Sequence, residues 1–584
     1  MVTNKYITKI ISALMALAVL LCLATSAFSQ QLQAVYGNNA VTMEYETKLF
    51  DTDQVMDIDI LMDEDDWNDM LENAISEEYY SCDVVVNGKK FYSVGIRPKG
   101  NTSLSSIASD PDTDRYSFKL EFDHYIEGQT CYGLDKLILN NNYADATNMK
   151  EAVVYDMYQY LDVDASLYNY AKICVNGDYR GVYLALEAVE DSFMLRNYGT
   201  EDGNLYKPES MGVGGGDGEE GKAGGGFQGG APQMGNPPEN IQMPQSENDK
   251  MPDEFQFSQN GEQSENIDFS DFKMGAIGGS GGADLNYTDD DLDSYSTIWD
   301  GEVTSSGKKD HKRVVEALKN ISEGTDLETY MDVDNILKYM AVHTFVVNDD
   351  SLSGTMAHNY YLYEYNGKLN ILPWDYNLSF GGMSMGGGMG GQSSGATSVI
   401  NDAIDTPFSI TNFFDALLEN EEYLAKYHEY LNELVEKYVN GGEFQKTYER
   451  IRSQIDELVA EDPTAFYSYE EYEAAVEMLY EVINLRGESV SGQLDGTIPS
   501  TDDGQKADSS TLIDGSGIEL SVMGSMSMGG GAGEGIGAPG GRGDGWQMRT
   551  PGGSIDEQQT GASGKEAGNS DGNEALQKTE SGGV

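Results

Sequence analysis

The chain has 584 residues, of which 99 are Asp or Glu and only 36 are Lys or Arg, giving a formal charge of −63. So acidic a surface repels nucleic acid and anionic membrane, which excludes a nucleic-acid role, and it attracts divalent cations and basic partners. Hydrophobic residues at 39% and 37 Tyr provide for a sizeable core, whereas 68 Gly reserve part of the chain for non-globular segments.

Residues 1–29 read as a secretory signal. Lys5 and Lys9 supply a positive start, residues 10–24 are apolar, and the small Ala27 and Ser29 precede Gln30. An uncleaved anchor is the alternative, but the apolar run is shorter than the roughly 20 residues of a spanning helix. The mature chain is therefore expected to have no membrane span and to be secreted or held at the cell surface. Cys82, Cys131 and Cys174 then remain, enough for one disulfide and a free thiol, and no CxxC pair points to zinc.

Residues 55–207 alternate apolar and polar positions between turn signals. Asn87-Gly88 separates two β-prone runs, and the same pattern recurs in AKICVNGDYRGVYLALE at 171–187, so two hairpins are predicted. Between them Met149, Val153, Met157 and Leu161 recur at helical spacing, predicting an amphipathic helix over 148–161. Strands, a helix and further strands make an α+β unit. Residues 208–284 are rich in Gly, Pro, Gln and Met without periodicity and read as a disordered insertion.

Residues 285–491 are mainly helical, with helices predicted over 311–321, 333–347, 413–439, 443–460 and 468–485. Ser468 and Glu471 form a capping-box pattern at the start of the last one. A second Gly/Met tract covers 381–391, and residues 492–584 read as a low-complexity, flexible tail. Within it Arg542-Gly543-Asp544 matches an integrin-binding tripeptide, of a kind that Gly-rich tails produce by chance.

The segment 347–377 carries the clearest chemistry. It reads as a helix end, a polar loop and a hairpin turning at Asn366-Gly367, with Asp350 and Asp375 near its two ends and Asn359 between them. Folding the hairpin brings these three groups towards one cavity. Two carboxylates and an amide suit a divalent cation that also holds phosphate oxygens, and phosphoryl transfer needs a base, metal ligands and a cation on the phosphates. The plainer alternative is that such residues cap turns in loops.

Upstream, the turn Gly100-Asn101-Thr102-Ser103 ends a strand and offers backbone amides to phosphate, unless it is an ordinary β-turn. Lys119 lies on the next strand, and Glu151 opens the predicted helix. A strand lysine paired with a helix glutamate is how kinases fix the lysine on the nucleotide phosphates; an ordinary surface lysine is the alternative.

Taken in order, RPKGNTS (97–103), RYSFKLEF (115–122), VNGDYRGVYLALE (175–187), NLYKP (204–208), VNDDSLSGTMAHNYYLY (347–363) and ILPWDYNLSFGG (371–382) resemble the CotH kinase family. The resemblance runs from about Arg97 to Gly382, broken by the Gly-rich insertion. It implies an atypical two-lobed protein-kinase-like fold, with a β-rich N-lobe over 55–207 and a mainly helical C-lobe over 285–491. It also implies ATP and Mg²⁺ or Mn²⁺ as cofactors, Ser/Thr phosphorylation as the activity, and basic, Ser-rich coat or surface proteins as partners, with the spore coat a further location.

By position, the resemblance makes Asp350 the base, with Asp349 the competing assignment, and Asp375 and Asn359 the metal ligands. Lys119 and Glu151 become the nucleotide lysine and its partner, Glu187 part of the hinge facing adenine, and Lys207 a basic group at the junction of the lobes. Two features depart from ordinary kinases: the long separation of Asp350 from Asn359, and a single small-residue turn in place of GxGxxG. The competing readings are a non-catalytic coat or surface scaffold that keeps the fold, and a carboxylate glycosidase.

Overall fold

The structure is a computed structural model that describes residues 40–209, 280–354, 356–384, 395–408 and 410–527. The secretory signal, most of the Gly/Pro/Met-rich insertion and Arg542-Gly543-Asp544 lie outside the described residues. The described chain is α+β.

Its first half is built on seven strands: β1 (Met56–Leu61), β2 (Tyr80–Val86), β3 (Lys89–Lys99), β4 (Ser117–Glu121), β5 (Lys136–Asn140), β6 (Tyr168–Val175) and β7 (Asp178–Glu187). They close into a barrel of order β1-β2-β3-β4-β5-β7-β6, sealed where β1 runs parallel to β6. Both predicted hairpins form. Asn87 and Gly88 have φ of 47° and 80°, and Asn176 and Gly177 of 52° and 87°, the paired left-handed conformation that a two-residue turn between right-twisted strands requires. Strand alternation fills the barrel: Met56, Ile58 and Ile60 of β1 are buried with polar residues between them.

Helices attach around this barrel. Helix α1 (Glu44–Lys48) precedes it, α2 (Thr102–Ser109) follows β3, α3 (Lys150–Tyr160) follows β5, and α4 (Asp191–Tyr198) follows β7. A three-stranded sheet of order β10-β9-β8 joins β8 (Asn204–Tyr206) to the hairpin β9 (Tyr360–Tyr365) and β10 (Lys368–Pro373). That hairpin turns at Asn366-Gly367, as its sequence predicts. The second half comprises α5 (Lys308–Ser322), α6 (Val333–Val346), α7 (Glu421–Glu433), α8 (Glu443–Ala460) and α9 (Tyr469–Asp495). Ser468 and Glu471 form the expected reciprocal cap at the start of α9.

Helix α3 departs from the amphipathic expectation. Its apolar stripe is present, but Lys150, Glu151 and Tyr155 are buried as well, because β6, α6 and α8 enclose it from several sides. A helix shielded over most of its surface has little polar face to show, so the charged residues it buries need partners inside the protein.

A larger difference lies after residue 491. Helix α9 continues to Asp495, Gly496 ends it in a left-handed conformation, and the following segment runs back to the barrel. There Met526-Ser527 forms β12, parallel to β11 (Met383–Ser384), and Met526 enters the barrel core. The segment is held by bonds that leave no periodic signature. Asn401 pairs with Ile513 through both ends of its amide at 2.9 Å, Met523 O accepts from Ala146 N at 3.1 Å, and Lys150 Nζ donates to Gly524 O at 3.0 Å. A low-complexity composition with side-chain-to-backbone anchoring reads as a tail until the anchors are seen.

Gly524 tests that contact. Its φ is 82°, and a Cβ there would lie 2.5 Å from Ala144 O. Gly524→Ala is expected to strain the contact by about 1–3 kcal/mol. Faster hydrogen exchange over 516–527, with the barrel strands unchanged, is the readout.

Cys82, Cys131 and Cys174 are all free thiols, the first two buried in the barrel half. No helix among the described residues is long and apolar enough to cross a membrane.

Candidate active site

A cleft opens between the barrel and the β8–β10 hairpin region, with room for water over about 150 Å³, some tenfold more than the 10–15 Å³ that one water needs. The barrel contributes Arg97 and Lys99 from β3, Gly100 to Ser103 from the turn behind it, and Lys119 from β4. Helix α3 contributes Glu151, the end of β8 supplies Lys207, and the second half supplies Asp350, Asn359 and Asp375. Ten of the residues singled out in the sequence thus meet at one place. Asp349 and Glu187 do not.

Each is placed by local structure. The turn at Gly100, with φ of 130°, delivers the chain straight into α2, so Thr102 is the first residue of a helix rather than part of a β-turn. The amide ends of that first turn, with the partial positive charge of a helix N-terminus, border the cleft. The segment 347–380 is held in unusual conformations: Val347, Ala357, Asn359, Asp375 and Phe380 all have φ between 45° and 60°. Left-handed backbone costs these side chains of order 1–3 kcal/mol each, which the surrounding packing must offset; such residues gather at functional sites.

Asp350 faces the cleft and is held on both oxygens. His358 Nε2 lies 2.9 Å from Oδ1, and Asn359 Nδ2 donates to Oδ2 at 3.1 Å and to the Asp350 carbonyl at 2.8 Å. Burial pulls the His358 pKa down, but the bond and charge of Asp350 outweigh it and the net direction is up. Asp349 points out to solvent; the chain reverses tightly beneath it, where a Cβ on Gly354 would lie 1.6 Å from Asp349 O.

Asp375 and Glu151 form the acidic floor. Burial pushes both carboxyls up, Glu151 to about 8, and their mutual proximity adds to the Glu151 shift. Asn140 Nδ2 donates to Glu151 Oε2 at 2.9 Å, whereas the buried Oε1 accepts no hydrogen bond from the described residues. The Asp375 backbone carbonyl accepts from Asn348 Nδ2 at 3.3 Å.

The expected Lys119–Glu151 pair is not formed. Lys119 Nζ lies 2.7 Å from Glu190 Oε1, and Lys136 bonds the other oxygen of the same carboxylate. Burial opposes the charge on Glu190, but the two lysines outweigh it and hold its pKa below the usual value. The cation that eases both Glu151 and Asp375 is Lys99, whose Nζ is 3.4 Å from Asn140 Oδ1 and 5.6 Å above the Trp374 ring. Lys207 approaches the same ring from 6.0 Å.

Glu187 is also corrected. It is wholly buried and turned away from the cleft, bonded to Arg196 at 2.6 Å and to Tyr45 Oη at 2.5 Å. Its neighbour Ala188 and Glu190 line the cleft in its place. Successive strand residues face opposite sides, so a one-residue difference decides which side chain reaches the ligand.

Sequence reasoning missed Lys99, Glu190 and His358. Lys99 had a usable signal, since Arg97 and Lys99 are two apart on one strand and so share a face. His358 had only its place beside Asn359, and Glu190 had none.

Hard oxygen donors are present for a divalent cation. Asn359 commits its amide nitrogen to Asp350, leaving its oxygen, Glu151 Oε1 is a buried acceptor without a described donor, and the half-buried Asp375 lines the same cleft. A cation answers such orphaned acceptors. Among the described residues no three His, Cys, Asp or Glu side chains are grouped to hold a metal unaided.

No curated protein matches the chain. A family model described as CotH kinase protein matches residues 96–490, more than half of its length and every motif that lines the cleft. The chain belongs to the CotH kinase family.

Proposed function

We propose that this protein is an exported, atypical protein kinase that transfers the γ-phosphate of ATP to Ser or Thr of basic coat or surface proteins. In this reading the barrel and the helical half are the two lobes, and the segment around Ala188 is the hinge between them. The observation that carries it is the convergence of Asp350, Asn359 and Asp375 with Lys99, Lys119 and Lys207 on one cleft, in a chain otherwise poor in cations.

Mg²⁺ or Mn²⁺ held by Asp375 and Asn359 would neutralise the charge that develops on the transferring phosphoryl group. The remaining work falls to the chain. Lys99, Lys119 and Lys207 line the space for the phosphates, and the first turn of α2 presents amides to the same charge. Asp350, oriented by His358 and Asn359, accepts the proton of the substrate hydroxyl as its oxygen bonds phosphorus and the bond to the β-phosphate breaks. The formal charge of −63 draws Lys/Arg-rich substrates to the surface.

Incubation with labelled ATP, Mg²⁺ or Mn²⁺ and a basic Ser-rich peptide tests this. Label transfer that disappears in both Asp350→Ala and Asp375→Ala supports it. Nucleotide binding without transfer makes the protein a scaffold, and absence of binding ends the proposal.

Because Lys99 rather than Lys119 faces Asp375 and Glu151, Lys99→Met is expected to lower kcat/KM for ATP on the order of 100-fold, the cost of one preorganised charge on a transition state. A Lys119→Met variant is expected to behave differently, loosening Glu190 and the hinge, and nucleotide titrations of the two separate the roles.

A further inference from the structure

Helix α6 ends at the left-handed Val347, and the loop bearing Asp350 and Asn359 begins at once. Four residues before Val347, in a shell of aromatic side chains, sits His343. It is 2% exposed and stacked between Tyr339 and Phe408, with ring centroids at 5.3 and 5.5 Å. A buried imidazole needs partners on both nitrogens, and the partners of the two nitrogens here come from different segments behind the cleft.

On one side, His343 Nε2 is 2.8 Å from Ser353 Oγ and 3.2 Å from Ser351 Oγ. Both hydroxyls donate to Asn348 O, at 2.9 and 2.7 Å. A hydroxyl has a single hydrogen, so with those hydrogens spent the serine oxygens act as acceptors and Nε2 carries the proton. Nδ1 is then bare and accepts from Tyr376 Oη at 3.0 Å, which leaves the Tyr376 oxygen to accept from Tyr158 Oη at 2.6 Å. This assignment gives a neutral imidazole, in line with a pKa that burial lowers to about 3, and leaves the 3.0 Å contact between the Ser351 and Ser353 oxygens without a hydrogen.

The chain of bonds joins three elements. Ser351 and Ser353 lie in the loop of Asp350 and Asn359, Tyr376 follows Asp375, and Tyr158 is on α3, the helix of Glu151. Asn348 adds a second link, its side chain bonding Asp350 N and Asp375 O at 3.3 Å each. None of His343, Tyr376 or Tyr158 lines the cleft.

We infer that His343 is a positioning residue for phosphoryl transfer, a neutral bridge that sets Asp350, Asp375 and Glu151 relative to one another without touching substrate. The inference rests on the kinase reading above.

The test uses the full chain and compares wild type with Tyr376→Phe, Ser353→Ala, His343→Leu and the His343→Leu/Tyr376→Phe double variant. Misplacing reacting groups by an ångström costs about 100-fold in rate. Tyr376→Phe and His343→Leu are each expected to lower kcat by about that factor with ATP affinity within about twofold of wild type. Residues acting as one unit are strongly non-additive, so the double variant is expected to be no slower than His343→Leu alone. His343→Gln, which keeps a donor towards Ser353, is expected to recover part of the loss.

If His343→Leu does not fold, Tyr376→Phe and Ser353→Ala carry the comparison, since both preserve shape. A kcat within threefold of wild type in Tyr376→Phe overturns the inference, as does a fall in kcat matched by an equal fall in ATP affinity. Wild-type protein that transfers no phosphate removes the kinase reading and the inference with it, a result distinct from active wild type with unaffected variants.

Discussion

Asp350→Asn is expected to lower kcat for phosphoryl transfer on the order of 10³-fold while leaving nucleotide affinity nearly unchanged. The replacement is isosteric, and its amide oxygen can keep Asn359 Nδ2 as donor, while its NH2 requires His358 Nε2 to turn acceptor; the charge that accepts a proton is lost. A positioned general base contributes about 10²- to 10⁴-fold. Asp350 also adds to the upward push on the Asp375 carboxyl, so removing its charge relieves repulsion and the variant should unfold no more easily than wild type. Asp375→Asn is the contrast: losing the half-buried carboxylate whose charge Lys99 and Lys207 offset should abolish the response to added Mg²⁺ or Mn²⁺ and weaken ATP binding as well. A rate loss of equal size in an Asp349→Asn variant would sink the assignment of the base to Asp350.

That choice between two adjacent aspartates illustrates what was legible in the sequence. The three Asn-Gly hairpins, the Ser468–Glu471 cap and the helical periods of the second half were readable because each is a local preference that the fold does not override. The motif residues of the cleft were readable through family resemblance, and the structure brings ten of them together. Pairings were not readable. Lys119 meets Glu190, 71 positions away, because the barrel's strand order carries β5 alongside both β4 and β7. Glu187 was misjudged for a similar reason, since the side chain's face depends on where β7 ends and on Arg196 waiting behind it. The segment after residue 491 was hidden differently: its order comes from Asn401, Gln505 and Lys150 bonding to backbone, and such contacts leave no trace in periodicity.

The rule that a buried charge needs a partner leads to the largest expected loss of stability. Arg115 and Asp462 are each only 2% exposed, and Arg115 Nη1 reaches the carboxylate at 2.8 and 3.0 Å. The same guanidinium donates to Asn141 O at 3.0 Å, Val182 O at 2.6 Å and Thr464 Oγ1 at 2.7 Å. Gly181 makes space for it, since a Cβ there would lie 2.4 Å from Nη1. Arg115→Leu is therefore expected to destabilise the protein by about 3–5 kcal/mol, mostly because Asp462 is left as an uncompensated buried charge. The Arg115→Leu/Asp462→Leu double variant tests that cause, because removing both charges should restore much of the stability, read as the midpoint of denaturant unfolding. Function should suffer beyond stability. Asn141 lies between Asn140 and Asn142 on the cleft wall, and the carbonyl of Tyr143 accepts from Asn377, two residues past Asp375, at 2.8 Å. Loosening Arg115 frees that wall, so at temperatures where Arg115→Leu is still folded its ATP affinity should already be reduced, whereas Asp350→Asn binds as wild type does.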